Sequence, residues 1–490
     1  MFHKPTGTGL KLKDKLVQPI ELYPYEQRQN LTRLASAPLS ISKRCLVRPL
    51  DHQLTENYRY MFQKIDEKYK VLDDRIEMFS GLVKDHYEIE ELFDPLRPTQ
   101  EAIKTIGRIC CDTEGKLNSQ SVVLETSRSL GAGCRVSLNL DEVPSFALFP
   151  GRVVAVEGIN STGRALNVTN IYENPLLPMP TTLTSELMEY NYGPTKLNGQ
   201  PMTIVIASGP YTLNTNLQYQ PFLDFINKMK TEKPDVLILL GPFVDQDHPL
   251  IKSGSLDLTL EDIFVMHISA PLDSFCHTCP GTNVIMVPSA KDIIHSHMAF
   301  PQPPLEGSGT LKIPQEVLRL PNPCQFRINE VIFAVSTVDV LFHLSAEEAP
   351  RDPKPDRDRM GRLAYHVLEQ RSLYPLFPPA RGEVNLDLEY HYAIELQVMP
   401  DVLILPSRLK FFAKTVEEVV CVNPGHLTKS QTGGTYAKMI ILPSNKEEIS
   451  SNEVKHHVAE RATLDVLLRQ STIDLPNSKN PIIPEPVLLP

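Results

Sequence analysis

The chain contains 490 residues, with 49 Lys and Arg against 59 Asp and Glu, so its formal net charge is −10 at pH 7. This charge argues against a protein whose entire surface binds phosphate backbones, and at about 150 residues per domain the length predicts roughly three folded units or two larger ones. The eight cysteines are too few and too scattered for a secreted disulfide framework, which indicates a reducing compartment.

Residues 1–53 are predicted to form a flexible basic tail. Residues 1–50 contain nine Lys or Arg and three Asp or Glu, a net charge of +6, which leaves −16 for the remaining 440 residues. The segment contains five prolines and no sustained apolar period, as expected of a solvated linker, and a role in nuclear import or nucleic-acid binding is the alternative. The first residues lack the apolar block expected of a secretory signal, and no apolar run approaches the roughly 20 residues of a membrane-spanning helix. We therefore expect an intracellular protein that does not contact a membrane.

An amphipathic helix is predicted between residues 54 and 94. This stretch has one glycine and no proline, and its apolar residues from Tyr58 to Phe79 recur at steps of three and four. Charged residues occupy the opposite face, as in a helix that packs against a domain or a partner chain. Packing against the protein's own core is the favoured interpretation.

Five short runs predict a small β-barrel at residues 100–178, and an oligonucleotide/oligosaccharide-binding (OB) barrel is the natural candidate at this size. The runs are TIGRICC (105–111), SVVLET (121–126), CRVSLNL (134–140), GRVVAVEGI (151–159) and GRALNVTNIY (163–172). Barrels that bind single strands use a basic groove with aromatic platforms, but residues 104–173 contain seven basic, seven acidic and only three aromatic residues. This composition favours a barrel that packs against protein, with single-strand binding as the alternative.

Residues 200–490 are predicted to form an α/β domain. MTIVIASG, YQPFLDFINKMK and DVLILLGPFVD predict a strand, a helix and a strand, and such continuous apolar runs are typical of buried parallel strands. In four further segments an apolar strand is followed by a turn that contains Pro, Ser or Gly, at residues 282–292, 330–344, 400–409 and 417–427. We call such a turn at the end of a strand a corner. Because sites in α/β sheets lie beyond the carboxyl ends of the strands, catalytic residues are expected at these corners.

The order of these corners resembles the calcineurin-like metallophosphoesterase fold. In that family the corners supply Asp, Asn and His ligands to two metal ions, which activate water and bind phosphate. In this chain only Asp245 and His426 match a ligand. The other corresponding positions carry Ser208, Pro242, Ser289 and Thr428. The resemblance therefore implies a degenerate site with no catalytic residue, no metal and no cofactor, and an active metal-dependent phosphoesterase is the alternative.

The whole arrangement is similar to the B subunits of the replicative DNA polymerases, most closely those of DNA polymerase alpha–primase. The segments that carry this resemblance occur in order: GRVVAVEGIN, IASGPYT, LLGPFVD, VPSAKD, FPQPP and NPGHLTKSQTGGTYAK. The resemblance implies a non-catalytic nuclear scaffold for RNA-DNA primer synthesis. Its implied partners are the zinc-bearing C-terminal domain of the catalytic subunit and the primase subunits, with DNA met mainly through them.

The predicted architecture is an OB fold packed on a metallophosphoesterase-like α/β sandwich, preceded by an amphipathic helix and a flexible N-terminal tail. Two smaller features lie outside this scheme. Cys276, Cys279, His295 and His297 could form a zinc site, but the HxH spacing is not that of the usual ligand pair, so a loop without metal is favoured. The charged run EEAPRDPKPDRDRMGR at 347–362 is expected to be an exposed loop.

Overall fold

The computed structural model describes residues 17–20, 43–307, 309–352, 358–446 and 453–468. They form a closed five-stranded barrel and a larger sandwich of two sheets covered by helices. One long helix contacts both units. Within the described ranges, no helix is both long enough and apolar enough to cross a membrane.

The segment before the long helix is partly built into the sandwich. Two short strands, β1 (Val17–Ile20) and β2 (Val47–Pro49), pair with edges of its two sheets. The guanidinium of Arg44 forms an ion pair with the buried carboxylate of Asp235, at 2.7 Å. The prediction of a flexible tail is therefore wrong for residues 43–53, because these contacts fix the chain to the sandwich. Apart from β1, the tail before residue 43 lies outside the described residues.

Helix α1 (Ile65–Tyr87) is shorter than the predicted helix at both ends. It begins where the Glu67 carboxylate accepts a hydrogen bond from the backbone N–H of Lys64 at 2.9 Å, which satisfies a donor at the helix start. It ends at Glu88, whose φ of 52° is left-handed. Its buried residues pack against the barrel: Ile76, Phe79 and Val83. The helix thus packs on the protein's own core, as favoured from the sequence.

The barrel confirms the five predicted strands and the OB fold. Its elements are β3 (Ile103–Cys111), β4 (Val122–Glu125), the short helix α2 (Arg128–Gly131), β5 (Arg135–Asn139), β6 (Phe146–Leu148), β7 (Val153–Ile159) and β8 (Ala165–Tyr172). The barrel closes in the order β3-β4-β5-β8-β7, with β5 and β8 parallel and the other neighbours antiparallel. In β5 the exposed Arg135 and Ser137 alternate with the buried Val136 and Leu138, the period of a strand with one face on a core.

The linker and the first sheet of the sandwich follow. Their elements are β9 (Thr181–Leu183), α3 (Thr184–Tyr192), β10 (Met202–Ser208), α4 (Gln220–Glu232), β11 (Val236–Leu240), α5 (Pro249–Lys252), α6 (Leu260–Phe264), a π-helix (Val265–Ser269), α7 (Ala270–Thr278), β12 (Asn283–Val287) and β13 (Val317–Arg319). Strands β10 to β13 are parallel neighbours. Every residue of β11 is buried, because this strand is covered on both faces.

The second sheet and the C-terminal strands complete the sandwich. The elements are β14 (Cys324–Ile328), β15 (Val331–Val335), α8 (Val340–Glu347), β16 (Ala349–Arg351), α9 (Arg359–Glu369), a 3-10 helix (Leu388–Ala393), β17 (Val402–Ile404), β18 (Phe412–Val416), β19 (Val419–Asn423), β20 (Thr428–Lys429), β21 (Thr432–Gly433), β22 (Thr435–Ile441), β23 (Glu453–Lys455), α10 (Val458–Arg461) and β24 (Ala462–Leu468). The run at 330–344 is therefore a strand followed by a helix.

The sheets run in the orders β1-β24-β22-β10-β11-β12-β13 and β18-β19-β17-β15-β14-β2. Ile206 and Ile238 of the first sheet share one apolar core with Phe333 and Ile404 of the second. The opposite face of each sheet packs on helices, α4 and α7 on the first and α8 and α9 on the second. These four layers are the expected sandwich, and they bring the carboxyl ends of its parallel strands to a common region.

Candidate functional site

The corners that follow six parallel strands surround a cavity of about 190 Å³. The strands are β10, β11 and β12 in the first sheet and β15, β17 and β19 in the second. Five of the six predicted site positions line the cavity: Ser208, Pro242, Asp245, Ser289 and His426. Thr428 does not line it, and its hydroxyl instead lies 2.9 Å from the carbonyl oxygen of Pro210. The corners therefore converge as expected of an α/β site.

Two cationic side chains on the cavity wall are each held between carboxylates. The ammonium of Lys291 lies 3.0 Å from Asp247 and 3.4 Å from Glu383. The guanidinium of Arg408 lies 3.0 Å from Glu383 and 3.1 Å from Asp339. This ion-pair network joins loops that follow β11, β12, β15 and β17, and it neutralises both cations.

The neighbours of Lys291 and Glu383 stabilise the charged forms of these two groups. Burial alone would lower the pKa of Lys291, but the hydrogen bond and charge of Asp247 raise it overall. Burial alone would raise the pKa of Glu383, but Lys291 and Arg408 lower it overall. Each group thus favours its charged form, as opposite charges within a few ångströms require.

Asp292 connects two of the corners and was not among the predicted site residues. Its buried carboxylate accepts hydrogen bonds from the backbone N–H groups of Phe243, Val244 and Ser289, the last two at 3.1 and 2.8 Å. Burial raises the pKa of Asp292 to about 7, although these three hydrogen bonds act in the opposite direction. The VPSAKD motif contains this residue, but its acceptor role depends on amides some 50 positions away in the chain.

The residues present do not fit a binuclear metal centre. His426 bonds the carbonyl oxygen of Gly209 through Nδ1 at 2.7 Å, so that nitrogen carries the proton, and burial lowers the pKa of the ring. Burial raises the pKa of Asp245. In the part of the chain that the structure describes, no group of three or more His, Cys, Asp and Glu side chains is placed to hold a metal ion. A two-metal reaction requires several such ligands, so these residues do not support one.

The alternative zinc site is not assembled either. Both ring nitrogens of His295 are engaged, Nε2 with the carbonyl oxygen of Pro303 at 2.9 Å and Nδ1 with the backbone N–H of His297 at 3.0 Å. Cys276 lies in helix α7 and Cys279 directly follows it, so the expected loop is wrong for Cys276, and both side chains are buried in the apolar core. These cysteines therefore act as small apolar residues.

The barrel and the sandwich are joined by buried polar contacts. Arg152, at the start of β7, donates to the carboxylate of Glu369, at the end of α9, at 2.9 Å. The side chain of Gln370 bonds the backbone of Val153 through both its amide nitrogen and its oxygen, each at 2.9 Å. The barrel strand β6 also pairs with β16 of the sandwich. These contacts cross the boundary between the two units at several points.

A second group of buried polar side chains at this junction shows that the prediction of an exposed charged loop at 347–362 is wrong for its two ends. Glu348 and Arg362 form a bidentate ion pair at 2.7 and 2.9 Å, and His366 lies 2.9 Å from the same carboxylate. Both residues of the ion pair are largely buried, because β16 and α9 fold back on the barrel. The middle of the charged run, residues 353–357, lies outside the described residues.

A cavity of about 510 Å³ opens at the same junction. Tyr87 at the end of α1, Tyr172 at the end of β8, and Arg362 and His366 of α9 contribute to its walls. The junction thus offers a concave surface built from the helix, the barrel and the sandwich together. Aromatic and arginine side chains are the ones that protein interfaces most often use.

The face of β4 and β5, which OB barrels use to bind oligonucleotides, carries a paired carboxylate. Glu125 forms ion pairs with Arg108 and Arg135. Arg108 is buried and lies 4.9 Å from the ring of Phe377, which belongs to a sandwich loop. Arg108 and Arg135 are thus both paired with a carboxylate of the same chain, which does not favour phosphate binding by these two residues.

Two family models match the chain. One, for the B subunits of DNA polymerases alpha and epsilon, covers residues 204–414, and the other, for the OB domain of the DNA polymerase alpha B subunit, covers residues 69–174. A solved structure described as an archaeal phosphodiesterase covers 52% of this chain and 99% of its own, at 13% identity and a TM-score of 0.24. This TM-score is too low to support a conclusion about fold or function.

Several curated proteins named as the B subunit of DNA polymerase alpha are similar to this chain. The Schizosaccharomyces pombe protein is 39% identical over 454 residues, which cover 90% of this chain and 77% of that protein. The Rattus norvegicus protein is 38% identical over 396 residues, covering 79% of this chain and 62% of that protein, and the Saccharomyces cerevisiae protein is 32% identical over 466 residues, covering 84% and 65%. The chain therefore belongs to the family of B subunits of DNA polymerase alpha, the accessory subunits of that polymerase.

Proposed function

We propose that this chain is a non-catalytic scaffold of the DNA polymerase alpha–primase complex in the nucleus. It holds the zinc-bearing C-terminal domain of the catalytic subunit and the primase subunits during RNA-DNA primer synthesis, and it meets DNA mainly through these partners. Family membership supports the assignment. The observation that carries it is the buried connection between the barrel and the sandwich, centred on Arg152 and Glu369.

A scaffold must present its binding surfaces in a fixed relation. The ion pair between Arg152 and Glu369, the pairing of β6 with β16 and the helix α1, which contacts both units, oppose movement of the barrel against the sandwich. A surface that is already rigid loses less conformational freedom when it binds. A composite face of barrel and sandwich can therefore bind a partner domain firmly.

The cavity at the strand ends supports a role without catalysis. Ser208, Pro242 and Ser289 have no strong metal-binding group, and the nearby cations Lys291 and Arg408 are bound to carboxylates of the same chain. Neither a metal-activated water nor a free cationic clamp for phosphate is provided by these residues. We propose that the ion-pair network serves the stability of the corners.

Co-expression of the full chain with the C-terminal domain of the catalytic subunit tests the scaffold. A one-to-one complex is expected on gel filtration with light scattering, and separate elution of the two proteins would overturn the proposal. The charge-reversed variant Arg362→Glu, at the junction cavity, is compared with Lys252→Glu, an exposed residue outside it. Arg362→Glu is expected to weaken the complex, with the fold checked by circular dichroism.

The same preparation tests the absence of catalysis. Elemental analysis is expected to find less than one equivalent of Mn, Fe or Zn per chain, and a chromogenic phosphodiester is expected to remain intact when Mn²⁺ is added. Stoichiometric metal together with turnover would establish a phosphoesterase and contradict this part of the proposal.

A further inference from the structure

A group of aromatic side chains lies on the surface beside the N-terminal end of α1. We call it the aromatic surface, and it consists of Tyr58, Tyr60, Phe62, Tyr390 and Tyr392. The side chain of Phe62 is 60% exposed, and that of Tyr392 is 37% exposed. Two aliphatic neighbours in the chain, Met61 and Ile65, are also exposed. Clusters of exposed large apolar side chains mark interaction sites more often than isolated ones do.

The aromatic surface is held in place by contacts between distant parts of the chain. The hydroxyl of Tyr58 donates to the carbonyl oxygen of Pro301 at 2.6 Å, and its ring lies 3.8 Å from that of Tyr390. The backbone N–H of Met61 donates to the buried carboxylate of Asp387 at 2.7 Å. The segment that carries Phe62 is therefore fixed before any partner arrives, which lowers the entropic cost of binding.

The charge around these rings favours a cationic partner. Residues 387–395, which contribute Tyr390 and Tyr392, contain no Lys or Arg. Of their three carboxylates, that of Asp387 is buried and that of Glu389 is exposed. Burial raises the pKa of Tyr58, and the negative charges of Asp387 and Glu389 raise it further, so the hydroxyl stays neutral. The guanidinium of Arg59 already lies 3.6 Å from the centre of the Phe62 ring, in the arrangement of a cation on an aromatic face. The exposed carboxylate of Glu389 beside these rings attracts Lys and Arg side chains and repels a phosphate backbone.

The aromatic surface lies well away from the junction cavity. Helix α1 has 23 residues, and at about 1.5 Å per residue it extends roughly 34 Å from Ile65, beside the aromatic surface, to Tyr87, in the wall of the cavity. One protein domain could occupy the junction and leave the other end of the helix free. The molecule therefore has two separate surfaces on which partners could bind.

We propose that the aromatic surface is a second docking site, which binds an apolar protein segment carrying Lys or Arg from another subunit of the polymerase complex. The inference rests on the proposed scaffold function and adds where and by which chemistry a further contact is made. Apolar side chains of the segment cover Phe62 and Met61, and its cations lie on the ring faces and beside Glu389. Tyrosine-rich, preformed surfaces of this kind contribute a large share of binding energy in protein interfaces.

The test uses the complete complex, reconstituted from this chain, the catalytic subunit and both primase subunits of the same organism. A photoreactive phenylalanine at position 62 is expected to form a cross-link to one segment of another subunit that contains Lys or Arg among apolar residues. The double variant Phe62→Ser/Tyr392→Ser and the single variant Glu389→Lys are each expected to weaken binding of that subunit by about ten-fold or more. Met266→Ser, which removes a 53% exposed side chain on the π-helix, is the matched control and should leave binding unchanged.

The outcomes separate this inference from the proposed function. Failure of the wild-type chain to enter any complex refutes the scaffold. If the wild-type complex forms, the inference is overturned by cross-links only within this chain, by cross-links to added primed DNA, or by unchanged affinity in both aromatic-surface variants. Thermal unfolding of each variant confirms that the fold is intact, and Glu389→Lys provides the result should the double variant unfold.

Discussion

Arg152 of the barrel and Glu369 of the sandwich form an ion pair at 2.9 Å in which both side chains are almost completely buried. Glu369 also accepts hydrogen bonds from the backbone and side chain of Asn174, each at 3.2 Å. The buried carboxylate therefore joins three segments of the chain: the start of β7, the residue Asn174 and the end of α9. Removing the cation leaves its negative charge uncompensated in a medium of low polarity.

We expect Arg152→Met to lower the free energy of unfolding by about 3–5 kcal/mol, the usual cost of breaking one side of a buried ion pair. Urea denaturation followed by circular dichroism measures the change. Arg97→Met is the control, because the Arg97 side chain is 86% exposed beside Asp94 and such pairs contribute less than about 1 kcal/mol. Equal losses in the two variants would contradict a special role for the buried pair.

The stability of the junction is expected to depend on pH through Glu348. Burial alone would raise the pKa of Glu348, but hydrogen bonds from Arg362 and His366 lower it from 4.5 to about 2. Because the pKa is lower in the folded state, the carboxylate contributes its full stabilisation above pH 4.5, and this contribution is lost as the pH falls towards 2. A shift of this size corresponds to about 3 kcal/mol.

The difference in unfolding free energy between wild type and Glu348→Gln should therefore shrink between pH 5 and pH 3. Chemical denaturation at a series of pH values measures it. A difference that stays constant over this range would show that Glu348 has its ordinary pKa in the folded protein.

Gly209 is expected to tolerate no larger residue. A Cβ atom at this position would lie 1.9 Å from the carbonyl oxygen of Pro242, in the next corner of the cavity. Gly209→Ala should therefore force the two corners apart and cost about 1–3 kcal/mol. Gly81→Ala is the matched control, since a Cβ there meets no atom within 4 Å in helix α1 and should stabilise the protein by about 0.5–1 kcal/mol. The opposite signs of the two changes can be read from thermal unfolding.

Substitution of Arg44 tests whether the segment before helix α1 is held against the sandwich in solution. Its guanidinium binds the carboxylate of Asp235, which also accepts the backbone N–H of Thr203 at 2.9 Å. Arg44→Met should cost about 3 kcal/mol, because Asp235 stays buried without its cation. Lys252→Met, at an exposed residue that pairs with Asp247, should change stability by less than about 1 kcal/mol. A loss below about 1 kcal/mol for Arg44→Met would mean that this segment is not held in solution.

The barrel and the corners could be predicted because short-range patterns specify them. The alternation of exposed and buried residues in β5 indicates that one face of this strand is buried, and the continuous apolar run in β11 indicates that both faces are. The same periodicity misled at the start of α1, where Tyr58, Met61 and Phe62 fit a helical spacing but lie in a segment without regular secondary structure. Their conformation depends on Pro301 and Asp387, which lie far away in the sequence.

The order of the strands along the chain and the positions of the corners between them are already evident in the amino-acid sequence. Which charges pair is evident only in the folded molecule. Lys291 meets Glu383, and Arg152 meets a carboxylate 217 positions away, although the chain offers 59 acidic residues. The physical reason is that hydrophobic period is a property of neighbours along the chain, whereas Coulomb attraction depends on distance in space and on burial. The cavity, its ion-pair network and the joint between barrel and sandwich therefore depend on contacts that no local pattern encodes.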